Sequence, residues 1–138
     1  MRDTKTMESE RREQIIKVIL DTAFKIHTTL GPALLESLYE TILSTELRKQ
    51  GLRVENQKTV EFEYNGTPYR NELRLDLLVE DEVIVELKSV EKLLPVATKQ
   101  LLTYLRLCDK KIGLLINFGE GSLRNGVHRI LNSHCQSD

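Results

Sequence analysis

The run from Leu73 to Val90, L-R-L-D-L-L-V-E-D-E-V-I-V-E-L-K-S-V, constrains the fold more than any other part of the chain. Two apolar stretches flank the acidic break Glu80-Asp81-Glu82, which is short enough to fold them back on each other as an antiparallel hairpin. The two-residue period of a strand sends Glu86 and Lys88 to one face and Val85, Leu87 and Ser89 to the other. Asp76 lies in the first stretch, so the hairpin can gather Asp76, Glu86 and Lys88 on one face. Two carboxylates held a few ångströms apart repel, and one lysine does not cancel the excess once the group is partly buried. A divalent cation does. Carboxylate oxygens, with a backbone carbonyl and water, suit Mg²⁺ or Mn²⁺ and not zinc. A lysine two residues beyond such a glutamate can orient an attacking water or stabilise charge developing on a phosphate. The alternative is an amphipathic hairpin in which Asp76 or Glu86 pairs with Lys88 or Arg74 across the strands, an interaction worth below ~1 kcal/mol.

At 138 residues the chain is long enough for one domain with a real core and too short for two. Its 40% hydrophobic and 30% charged residues are those of a globular protein in water. No apolar run reaches the length of a membrane span, and M-R-D-T-K-T-M-E-S-E has no signal-peptide core, so a cytoplasmic protein without membrane association is expected. Cys108 and Cys135 form no Cys-x-x-Cys pair and no zinc pattern, and read as free thiols. A formal net charge of −1 removes any argument from bulk charge for nucleic-acid binding. Arg48-Lys49, Arg53 and Lys110-Lys111 could still line a local basic groove, or simply be solvated faces.

In chain order, a polar start precedes an amphipathic helix from Glu13 to Leu30, with Ile15, Ile16, Ile19, Leu20, Ala23, Phe24 and Ile26 at helical spacing. Gly31-Pro32 ends it, the proline opening a second helix at its first turn, which runs to about Gln50. Glu36 falls in line with Leu43 and Leu47 of that helix. It either seeks a partner inside or sits as an anion favoured by the helix dipole. Alternation then predicts strands, with Asn65-Gly66 as a hairpin turn before a strand from Thr67. Val96 to Cys108 reads as a helix and Ile112 to Phe118 as a strand buried on both faces, which with the Glu86 strand suggests a parallel crossover. Gln100 and Tyr104 share that helix's sheet-facing arc with Val96, Ala97, Leu101 and Leu105. Gly126 to Leu131 is a short strand or a helical turn. Neither a nucleophile with a base nor a Gly-rich phosphate loop is present in the pattern.

A helical Glu36, then Asp76, then Glu86-x-Lys88, then a helix with Gln100 and Tyr104 resembles the PD-(D/E)xK nuclease superfamily in its RecB-like form. G-P-A-L-L-E-S-L-Y-E at 31–40, R-L-D-L-L-V at 74–79, V-I-V-E-L-K at 83–88, Q-L-L-T-Y-L at 100–105 and G-L-L-I-N-F-G at 113–119 resemble its GxxExxY family. Ala33 stands where that motif has its glycine, on what reads as helix, while Glu36 and Tyr39 match. Val96-Ala97-Thr98-Lys99 lacks the histidine that the family often places before the glutamine.

The resemblance implies an α/β fold of the α+β, mixed-sheet kind, with a restriction-endonuclease-like core in a single domain at 13–132, a flexible N-terminus at 1–12 and a tail at 133–138. It implies Asp76, Glu86 and the Leu87 carbonyl as ligands of Mg²⁺ or Mn²⁺, with Lys88 activating water. Glu36 would steady the metal or its water, and Gln100 and Tyr104 would support the site or touch substrate. The function implied is metal-dependent hydrolysis of DNA, RNA being the other candidate, with a homodimer as the form that could hold a duplex. The rival is a catalytically silent module of the same fold that binds nucleic acid or a protein partner.

Overall fold

The computed structural model describes residues 3–135. Helix α1 (Thr4–Leu30) and helix α2 (Glu36–Lys49) precede strands β1 (Val54–Tyr64), β2 (Thr67–Val79) and β3 (Val83–Lys88). Helix α3 (Val96–Cys108), strand β4 (Ile112–Asn117), the single turn α4 (Leu123–Gly126) and strand β5 (Val127–Leu131) complete the order. The five strands stand side by side in sequence order. Only β3 and β4 run parallel, and α3 makes the crossover between them. This is the expected single-domain mixed sheet flanked by helices.

Alternation along β3 decides what each face carries. Val83, Val85 and Leu87 join the core under α1 and α2, built around Ile16, Ile19, Tyr39 and Leu43. On the other face Ile84 packs with Leu101 and Leu105 of α3 and with Leu115 of β4. Further along β3 that second face continues as Glu86 and Lys88. Strand β4 is buried along its whole length, as its unbroken apolar run predicts.

Three boundaries differ from the sequence reading. First, α1 begins at Thr4, with the Asp3 carboxylate accepting from the Thr6 amide at 2.8 Å. Arg11 then reaches Glu80 at 3.2 Å and Glu82 at 3.1 Å, tying this polar end to the β2–β3 turn. Of the expected N-terminal segment and tail, residues 1–2 and 136–138 lie outside the described residues. Second, Gly126 to Leu131 holds both alternatives, the end of α4 and then β5.

Third, α2 starts at Glu36 and not at Pro32, because Gly31 (φ 82°) and Ala33 (φ 70°) hold the backbone out of helical conformation. The loop is fastened by Tyr39, whose hydroxyl donates to the Gly31 carbonyl at 2.6 Å and accepts from the Leu34 amide at 3.2 Å. Ala33 is therefore a loop residue in the left-handed region, where its Cβ costs about 1–2 kcal/mol. The extra freedom of glycine in the unfolded chain offsets part of that gain. Ala33→Gly is expected to stabilise the protein by about 0.5–1 kcal/mol in a denaturant melt.

Hairpin β1–β2 turns at Asn65-Gly66, both at positive φ (53° and 82°), as that dipeptide dictates. Two further residues leave regular strand geometry, Gln57 at φ 49° and Asn71 at φ 62°, and the register shifts between Val60 and Phe62. Among the described residues Cys108 and Cys135 form no disulfide, and the Cys135 thiol donates to the Asp109 carbonyl at 3.4 Å. Among the described residues no helix is long and apolar enough to cross a membrane.

Candidate active site

The β2–β3 ladder pairs Val79 with Val83, Leu78 with Ile84 and Leu77 with Val85. One step further in this register Asp76 would face Glu86, and there the backbone pairing stops. The Leu87 amide, which a continued ladder would have used, instead donates to Asp76 Oδ2 at 2.9 Å. On the other side, Asn56 pairs with Leu77 and Lys58 with Leu75, but the intervening Gln57–Asp76 rung is missing. Strand β2 is thus loosened from both neighbours at one residue, and that residue is the aspartate.

Glu86 lies against it. Its Oε1 is buried and accepts no hydrogen bond. Burial, then the charge of Asp76 and a shared proton contact with it, push the Glu86 carboxyl from an ordinary 4.5 to about 9, against the pull of the Asp76 backbone and Lys88. Glu36, the first residue of α2, is exposed and does not turn into the core, and its carboxyl is raised chiefly by partial desolvation and next by Asp76, with Lys88 opposing and Glu40 adding to the rise. From α3, Tyr104 is raised by burial and then by the charges of Glu86 and Asp76, while a hydrogen bond from Gln100 lowers it.

Glu36, Asp76, Glu86, Lys88 and Tyr104 lie near enough to act on one another's charge, where α2, β2, β3 and α3 meet, and Gln100 joins them through its hydrogen bond to Tyr104. Gln100 corrects the sequence reading in one respect. It is exposed, like Val96, and reaches the site along the helix edge through Tyr104, because Leu101 and Leu105 already fill the sheet-facing stripe.

Several neighbours were not singled out from sequence. Gln57 donates to Glu40 Oε1 at 2.5 Å and lies 3.5 Å from Asp76 Oδ1. Asn56 donates to Glu40 Oε2 at 3.1 Å and to Ser44 at 3.0 Å, and accepts from Arg48. Glu40 did carry a signal, since it falls one turn after Glu36 on the same helical face. At the end of β4 the fully buried Asn117 accepts from the Val90 and Gly119 amides and donates to the Val90 carbonyl, each at 3.0 Å. This clamps the chain just beyond Lys88. Gly119 is obligatory there, because a Cβ would stand 2.2 Å from the Val90 carbonyl oxygen.

Three of the residues named for a basic groove have partners within the chain. Arg48 is spent on the Val54 carbonyl and Asn56, Lys49 pairs with Glu46 at 3.5 Å, and Lys110 pairs with Asp81 at 3.3 Å.

Among the described residues no three His, Cys, Asp or Glu side chains gather into a set that could hold a metal ion. A zinc-type cage is therefore absent from them. Magnesium is commonly held by one or two carboxylates with water filling its shell, which is what Asp76 and Glu86 can offer. The orphaned Glu86 Oε1 is the observation that fits a cation, since this buried oxygen has no donor and the carboxyl beside Asp76 otherwise has to hold a proton.

A mixed sheet with an acidic pair and a lysine where its central strands part defines the nuclease-like α+β class. The chain belongs to the PD-(D/E)XK nuclease superfamily, whose profile matches residues 13–130. Nucleases of this superfamily generally use divalent metals. The crystal structure of SSO0001 matches with a TM-score of 0.53 and 22% identity, over 88% of this chain and 60% of that one. At that identity the likeness is one of fold. Comparison with curated proteins finds no match.

Proposed function

We propose that this protein hydrolyses phosphodiester bonds in DNA, with Mg²⁺ or Mn²⁺ held by Asp76, Glu86 and the backbone carbonyl of Leu87, as a nuclease of the GxxExxY kind. The observation that carries the reading is the buried, unpartnered Glu86 Oε1 beside Asp76 at the point where β2 and β3 part. A bound cation would supply Lewis acidity and charge neutralisation at the phosphate and acidify an attacking water.

The protein's own groups do the rest. The Leu87 amide fixes Asp76 Oδ2 and so sets the direction of Oδ1. Lys88, on the same strand face as Glu86, directs its ammonium hydrogens at the attacking water or a phosphate oxygen. Glu36 accepts a hydrogen bond from that water across the site. Tyr104 keeps its proton and donates to the substrate, with Gln100 fixing its hydroxyl.

End-labelled single- and double-stranded DNA and RNA, incubated with the protein and each divalent cation, test this directly. Cleavage that EDTA stops and Lys88→Ala reduces by about a thousandfold is the expected result, a loss of the size seen when one transition-state donor is removed. Cleavage of RNA alone would move the substrate class. Equal cleavage by Lys88→Ala would overturn the assignment.

A further inference from the structure

We propose that Gln57, anchored by Glu40, is a positioning residue that holds the Asp76 carboxylate in register for the cation. The inference rests on the cation reading of Asp76 and Glu86 given above.

Three observations converge on Gln57. It adopts φ 49°, a left-handed conformation that costs a residue with a Cβ about 1–2 kcal/mol. Strained backbone of this kind persists where the surroundings impose it, and it concentrates at functional sites. At the same point the β1–β2 ladder gives up one rung, although Asn56↔Leu77 and Lys58↔Leu75 are paired on either side. The side chain that the distortion redirects stays exposed, yet its amide engages the site. Its amide nitrogen stands between two carboxylates, 2.5 Å from Glu40 Oε1 and 3.5 Å from Asp76 Oδ1.

The rest of the chain of contacts keeps that amide in place. Glu40 is itself held, because its other oxygen accepts from Asn56 at 3.1 Å, and Asn56 is fastened by Arg48 and Ser44. Asp76 is therefore approached from two sides by neutral donors, the Leu87 amide at Oδ2 and the Gln57 amide at Oδ1. The neutrality matters. A lysine at position 57 would orient Asp76 equally well but would compete with a cation for its charge, whereas an amide orients without neutralising. The contact to Asp76 is also long, which leaves Oδ1 free to bind a cation.

Two measurements on three full-length proteins separate this role from a structural one. Mn²⁺ affinity is read by water-proton relaxation, and the melting temperature is taken alongside it, for the parent, Gln57→Gly and an Asp76→Ala/Glu86→Ala reference. Glycine removes the side chain and also relieves the backbone strain, so the two readouts should part. Expected for Gln57→Gly is Mn²⁺ binding weaker by about tenfold or more, the usual effect of losing a ligand's outer partner, with the melting temperature unchanged or higher. Binding as tight as the parent's, with the reference variant defective, would overturn the role of Gln57 and leave the cation site standing. Binding no tighter in the parent than in the reference would overturn both. Should Gln57→Gly fail to fold, Glu40→Ala carries the same test, since it frees the Gln57 amide to turn away. Unchanged affinity there overturns the inference equally.

Discussion

Glu86→Gln is expected to abolish divalent-dependent cleavage while making the metal-free protein more stable at about pH 8. The two effects have one cause. Burial and the neighbouring Asp76 raise the Glu86 carboxyl from 4.5 to about 9. Between those values the unfolded chain has released this proton and the folded chain still holds it. Folding then takes up a proton, so this group's contribution to stability is lost as pH rises through the interval, by up to ~1.4 kcal/mol per pH unit. Glutamine has no proton to take up. The melting temperature of Glu86→Gln should therefore lie close to the parent's at about pH 5 and exceed it by several degrees at about pH 8. Millimolar Mg²⁺ or Mn²⁺ should close the gap by stabilising the parent alone, because only the parent offers both carboxylates. A variant less stable than the parent at every pH would show that Glu86 is an ordinary structural partner.

Tyr39→Ala is expected to cost about 3–5 kcal/mol, the range for deleting a buried aromatic. The ring is 0% exposed and stacks on Phe118 with centroids 4.2 Å apart and planes 9° from parallel. Its hydroxyl closes the loop from Gly31 to Leu34 that delivers Glu36 to the site. Phe118 follows β4 directly, and its amide donates to the Lys88 carbonyl at 2.8 Å. One stacked pair thus joins the segment carrying Glu36 to the strand carrying Glu86 and Lys88. Tyr39→Phe keeps the stack and loses the two hydrogen bonds, so about 1–2 kcal/mol is expected in a urea melt. An alanine variant within about 1 kcal/mol of the parent would contradict the packing described.

Much of the sheet was legible because its rules are local. Asn65-Gly66 fixes a hairpin by its turn chemistry, the acidic break at Glu80–Glu82 fixes another, and the apolar run of β4 reports burial on both faces. The face shared by Glu86 and Lys88 follows from the period of a strand alone. What escaped depends on contacts far apart in sequence. Nothing in Gln57 marks a left-handed residue, since glutamine does not favour that region. Its conformation is explained only by Glu40 and Asp76, which approach it from α2 and β2. Proline often opens a helix, which is why the sequence around Ala33 reads as one. The hydroxyl of Tyr39 and the carbonyl of Phe118 hold the loop open instead. Asn117 reads as one more residue of a buried strand, and its clamp on Val90 and Gly119 appears only once β3 and β4 lie side by side.

The most direct test of the cation site is Mn²⁺ binding by water-proton relaxation, with and without a short DNA duplex, in the parent and in Asp76→Ala/Glu86→Ala. It needs no knowledge of the substrate. Saturable binding in the parent that the double variant loses is expected if the two carboxylates converge on one ion. Equal, weak binding by both proteins at millimolar Mn²⁺ would contradict it and leave the acidic pair as a half-buried contact of a protein that binds without cutting.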